Sequence, residues 1–132
     1  QWAELGIVLR VLPLTYPAAL EAARQGSYHL IPQSFSGSDP DVLYTYYHSD
    51  VPFNWSQVSD AQLDRWLQQA RVLSEPEKRA ELYARAQRRI MDLALLIPIR
   101  DPVNLNAASA AVHNLRFDAH GWFPLLHDVY LK

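Results

Sequence analysis

"LGIVLRVLPLTYPAALEAARQGSYHLIPQSF", residues 5–35, is the stretch whose reading decides the fold. Its first part, Leu5 to Leu12, is a nearly continuous apolar run rich in β-branched and aliphatic residues. That is the pattern of a strand buried on both faces, and Pro13 ends it. "YPAALEAARQ" at 16–25 is Ala-rich, with Pro17 suited to a first helical turn and Gly26 to the position just past a helix end. "SYHLIPQSF" at 27–35 reads as a second strand, in which Pro32 points to an edge or an irregularity. Strand, helix and strand at this length make a βαβ unit, which favours a parallel pair with a right-handed crossover. The expected class is therefore α/β.

Downstream lies the turn "SFSGSDPD" at 34–41, rich in small, hydroxylated and acidic residues. Ser38 or Asp39 suits the N-cap of a short helix over Pro40 to Tyr47. "HSDVPFNWSQ" at 48–57 reads as an irregular loop. A helix then follows Ser59, with Gln62 completing a capping box. Leu63, Trp66, Leu67, Ala70 and Leu73 form its apolar stripe. Ser74 and Glu77 repeat the box for a second helix, with Pro76 in its first turn. Ala80, Tyr83, Gln87, Ile90 and Ala94 trace its inner face, with Ala86 and Leu93 beside it. From Leu95 the pattern changes to short strands or extended segments broken by Pro, Asn and Ala.

The chain has 132 residues, 49% hydrophobic and 20% charged, which suits one globular domain with a real core. A net charge of −2 gives no general reason to expect nucleic acid or an anionic membrane as partner. The absence of cysteine removes disulfides, thiolate nucleophiles and Cys-ligated zinc. No run approaches the ~18 apolar residues of a membrane span. The chain opens directly into a strand-like run, which suggests an excised piece of a longer protein. No nucleophile elbow, Gly-rich phosphate loop or H-E-x-x-H motif occurs. None of the five histidines pairs with another at helical ligand spacing. Neither a metal site nor a cofactor is expected. Asp118 near His120, and Asp128 beside His127, leave open a small hydrolase or lyase built on an Asp–His pair. The arginines around "RAELYARAQRR" leave open a helical protein-interaction module.

Several pieces fall in a telling order: "LGIVLRV", a helix, "GSYHLIPQSFSGSDPDVLYTYYHS", "FNWSQVSDAQLDRWLQQARVLSEPEKRAELYARAQRRIMDLALLIPIR" and "VHNLRFDAHGWFPLLHDVYL". The series resembles the C-terminal part of the family 5 extracellular solute-binding proteins, the dipeptide, oligopeptide and nickel receptors of ABC importers. It departs from the family pattern at His29, where Asp is frequent, and at Phe35, where Trp is frequent. The turn is also shorter than in peptide-binding relatives, some of which carry there an acid for the peptide's α-amino group. The resemblance implies a two-lobed periplasmic-binding-protein type II-like fold that closes on its ligand. This chain would supply a βαβ unit, helices and short terminal strands of the C-terminal lobe. Residues 1–97 would belong to that lobe, and 98–132 would cross back toward the other. The implied protein is not an enzyme. It binds a small solute, a peptide first, and delivers it to an ABC permease in the membrane. Its other partner is the missing N-terminal lobe. The implied location is periplasmic or extracellular, with a lipoprotein as one form. Phe35, Ser36, Gly37, Ser38, Asp39, Asn54 and Trp55 are the candidate ligand contacts, with an aromatic wall, hydroxyls and an acid for directional bonds.

Overall fold

The first helix obeys its local signals in full. In the computed structural model, which describes residues 2–35, 37–101 and 103–132, α1 spans Tyr16–Gln25. Pro17 sits in the first turn, where its missing N–H leaves no bond unmade. Gly26, at φ 65°, ends the helix in the left-handed region. Its N–H donates to the Ala23 carbonyl at 3.2 Å, and the Ser27 N–H donates to Ala22 at 2.9 Å. This pair of bonds is the Schellman ending, which satisfies carbonyls the helix would otherwise leave open.

Three more helices follow: α2 (Val42–Tyr47), α3 (Ala61–Val72) and α4 (Pro76–Asp92). α3 and α4 are joined by a short connection and pack along their length, with α2 laid on α3. Leu63, Leu67 and Ala70 of α3 meet Tyr83, Ala86 and Ile90 of α4, and Tyr47 of α2 closes the cluster. Phe35, Leu43, Tyr44, Tyr46 and Leu82 pack around it, half-buried. The inner face of α4 is thus rotated from the expected one. Ala80, Gln87 and Ala94 are exposed, and Ala86 takes the central place.

Both helix starts also differ from expectation, for reasons in the backbone and in charge. Asp60, not Ser59, is the N-cap of α3. Its Oδ1 accepts the Gln62 and Leu63 N–H groups at 3.1 and 2.8 Å. Its Oδ2 accepts Nε and Nη2 of Arg89, on α4, at 2.9 and 2.6 Å. A carboxylate can serve both needs where the Ser59 hydroxyl cannot. At α4 the residue before Pro76 is pushed away from helical angles. Glu75, at ψ 110°, therefore becomes the N-cap without a side-chain cap bond. It pairs instead with Lys78 at 2.7 Å.

The βαβ unit is corrected. Its helix is present, but neither 5–12 nor 27–35 forms a strand among the described residues. Ala3–Leu5 is a short 3-10 turn closed by Gly6 at φ 73°. Val8 beyond it is 94% exposed. A strand apolar on both faces needs flanking strands and covering layers to exist as one, and these residues have neither here. Among the described residues strands occur only late: β1 (Val112–His113) pairs antiparallel with β4 (Tyr130–Leu131), and β2 (Arg116–Phe117) with β3 (Pro124–Leu125). Stacking of His113 on Tyr130, with centroids 5.1 Å apart, supports the outer pair. The architecture is thus mixed helix and small sheet, and the short terminal strands are present.

Two stability measurements check this account. Leu67→Ala removes a fully buried side chain from the α3–α4 seam and is expected to lower unfolding free energy by about 2–5 kcal/mol in urea titration. Asp60→Ala removes a cap and is expected to cost about 1–2 kcal/mol. The Asp60 carboxyl is held below the usual carboxylate range, first by the Leu63 N–H and then by Arg89. A folded pKa below the unfolded value means the stabilisation is present above about pH 4 and lost as pH falls through the folded value. The gap in urea midpoint between the native protein and Asp60→Asn is expected at pH 7 and should shrink below about pH 4.

Candidate ligand-binding site

The two loops that carry the expected contacts meet through a row of aromatic rings. Phe35 stands edge-on to Tyr46, with centroids 4.5 Å apart. Tyr46 lies 6.0 Å from Phe53, and Phe53 lies 6.3 Å from Trp55. These are ordinary distances for favourable ring pairs. Phe35, before the turn, and Trp55, in the later loop, are therefore the two ends of one row. Tyr47 packs on Phe35 from the core side at 6.2 Å. Burial pushes the Tyr47 hydroxyl up to about 12.

The other expected contacts are placed differently. Ser36 lies outside the described residues. Gly37 and Ser38 are exposed. A Cβ on Gly37 would meet Val42 Cβ at 3.5 Å, an ordinary contact, so packing does not demand glycine there. Asn54 spends its amide inside the loop. Nδ2 donates to the carbonyls of Val58 and Ser49 at 2.8 and 3.5 Å, and Oδ1 accepts the Val58 N–H at 3.2 Å. It closes the loop by local bonds that compete with regular structure. The Trp55 carbonyl accepts the Tyr28 hydroxyl at 2.5 Å. Its indole N–H is buried and meets no acceptor among the described residues.

Asp39 does not cap a helix. α2 begins only at Val42, and its flanking residue Asp41 makes no side-chain cap bond. The Asp39 carboxylate accepts the Asp41 N–H at 2.8 Å, an Asx turn. The same oxygen takes Nη2 of Arg79 at 2.6 Å. Arg79 also donates Nε to the Ala70 carbonyl at 3.1 Å and lies 5.1 Å from the Tyr83 ring centre. Tyr83 donates its hydroxyl to Asp41 at 3.3 Å, and Nε of Arg71 stands 3.1 Å from the same Asp41 oxygen. Arg71 in turn lies 4.0 Å over the Tyr44 ring. The Arg79 bond, then the Asp41 N–H, hold the Asp39 carboxyl below its ordinary range. Nothing local announced these partners, because Arg79 follows Asp39 by 40 positions.

His48, buried to 2% exposure, braces the start of the later loop. Its Nδ1 accepts the Asp50 N–H at 3.1 Å, and its Nε2 lies 2.7 Å from the Gln68 amide. The Tyr44 ring lies tilted against the imidazole, with centroids 4.4 Å apart. The Asp–His alternatives find no such enclosure. His127 lies 3.1 Å from Asp128 on open surface, and Asp128 is shared with Arg116 at 2.9 Å. Asp118 accepts the N–H groups of Trp122 and Phe123 at 2.8 and 3.2 Å, so it braces its own loop. The interaction-module alternative loses Arg89 to Asp60. No group of residues able to hold a metal occurs among the described residues. Nor is any helix among them long and apolar enough to cross a membrane.

No family model and no solved structure matches the chain. Three curated relatives do. The chain is 29% identical over 121 residues to the dipeptide-binding protein of Pseudomonas aeruginosa, covering 87% of this chain and 22% of that protein. It is 28% identical to di/tripeptide-binding protein 3 of the same species over 121 residues, again 22% of that protein. It is 27% identical over 125 residues to di/tripeptide-binding protein 1, covering 91% of this chain and 23% of that protein. The chain thus spans less than a quarter of the length of the relatives it matches, and all three are named for binding, not catalysis.

Proposed function

We propose that this chain is part of the C-terminal lobe of a solute-binding receptor of an ABC importer. It binds a peptide between two lobes for delivery to a membrane permease. The aromatic row that joins Phe35 to Trp55 carries the reading. It gives one apolar wall built from both loops, of the kind that small-ligand sites use. The likeness to dipeptide- and di/tripeptide-binding proteins supports a peptide as ligand.

Residues 1–97 belong to the lobe in this reading, and 98–132 cross back toward the other. Two apolar stretches support it. Leu5, Val11 and Leu12 before α1, and Ile99, Val103 and Leu105 after α4, are all exposed. Apolar surface on this scale marks contact with something more, here the other lobe of the same protein. The receptor works in the periplasm or at the cell exterior, free or as a lipoprotein.

Titration calorimetry of the intact protein with dialanine and trialanine tests the reading. Saturable binding is expected. Phe35→Leu, which keeps bulk in the cluster, is expected to weaken it about fivefold through loss of a ring contact contributing about 1 kcal/mol. Absence of binding to any di- or tripeptide would remove the function, and unchanged affinity in Phe35→Leu would remove the wall.

A further inference from the structure

We infer that Arg79 and Arg71 are positioning residues for the turn 37–41. The two acids of that turn act by fixing its geometry and not by touching the ligand. This inference rests on the receptor reading above.

The geometry that points to it is a pair of clasps. Arg79 reaches two separate elements with one planar group. Nε holds the Ala70 carbonyl at 3.1 Å, and Nη2 holds Asp39 at 2.6 Å. Ala70 lies in the last turn of α3, where carbonyls have no partner within the helix. The guanidinium therefore closes a helix end and anchors the turn together. Arg71, in the same last turn, holds Asp41 at 3.1 Å, and the Tyr83 hydroxyl reaches that oxygen at 3.3 Å. Both carboxylates are already matched by cations from the helical hairpin. A ligand ammonium at this turn meets an acid whose charge is answered, so the turn selects by shape, exposed backbone and the neighbouring rings. The fork geometry needs arginine, because a lysine ammonium cannot present two fixed N–H directions to two elements.

The experiment uses the intact protein, with Asp39→Asn, Arg79→Gln, Arg79→Lys and the double Asp39→Asn/Arg79→Gln. Amide hydrogen exchange over residues 37–44 and dialanine affinity are measured together. Exchange in the turn is expected to rise about two- to fivefold in Arg79→Gln and in Asp39→Asn, the range of a single exposed ion pair. Amides of α4 around Ile90 should keep their protection, which separates a local clasp from general destabilisation. Arg79→Lys should restore little. Dialanine affinity should fall by a similar factor in each single variant and no further in the double. Unchanged exchange in Arg79→Gln overturns the clasp. A loss of affinity in Asp39→Asn without one in Arg79→Gln overturns it too, because it makes Asp39 a direct ligand contact. Should the unsubstituted protein bind no peptide, the receptor reading fails, and the exchange data still decide the clasp.

Discussion

The helical half of the molecule depends on how α3 and α4 are held face to face, and two kinds of force hold them. Apolar side chains at helical spacing fill the seam, with Leu63, Leu67 and Ala70 set against Tyr83, Ala86 and Ile90. Non-directional burial of this kind gives most of the stabilisation. It does not fix the rotation of one helix on the other. Asp60 does that, since its carboxylate reads the N–H groups at the start of α3 and the guanidinium of Arg89 at once. With that register set, Arg71 and Arg79 come to stand where the turn at 37–41 needs them.

The register also explains why the site is assembled as it is. α2 lies on α3 through Tyr47 and carries Tyr46 and Tyr44 with it. Tyr46 then links Phe35 to Phe53, and Tyr44 covers both the His48 ring and the Arg71 guanidinium. Loop 48–58 docks on the segment just past α1. A Cβ on Gly26 would come within 2.3 Å of the Gln57 side chain, and Tyr28 holds the Trp55 carbonyl. The wall is therefore seated on α2, which rests on α3, and on the segment that follows α1.

What the sequence made legible follows from range. α1 was readable to the residue, because Pro17 and Gly26 act within one turn of where they stand. The existence of α3 and α4 followed from apolar spacing. Their caps did not, because the partner that makes Asp60 the better choice lies 29 positions away. Strands at 5–12 and 27–35 were expected from local pattern and element order. A strand is a relation between segments, and these have no partner among the described residues. Phe35 and Trp55 were legible as aromatics near loops. That Asn54 braces its own loop and that Asp39 faces Arg79 depends on tertiary contacts which a residue list does not contain.

The apolar run before α1 has a consequence for the chain as it is made. Ile7 to Leu12 combines β-branched residues with little charge and is open to water, the profile of a segment that pairs with copies of itself before folding is complete. Arg10 sits in its middle and Pro13 at its end. A charge and a residue without an N–H both interrupt such pairing. They act as gatekeepers, and lower the tendency of an exposed apolar run to pair with copies of itself.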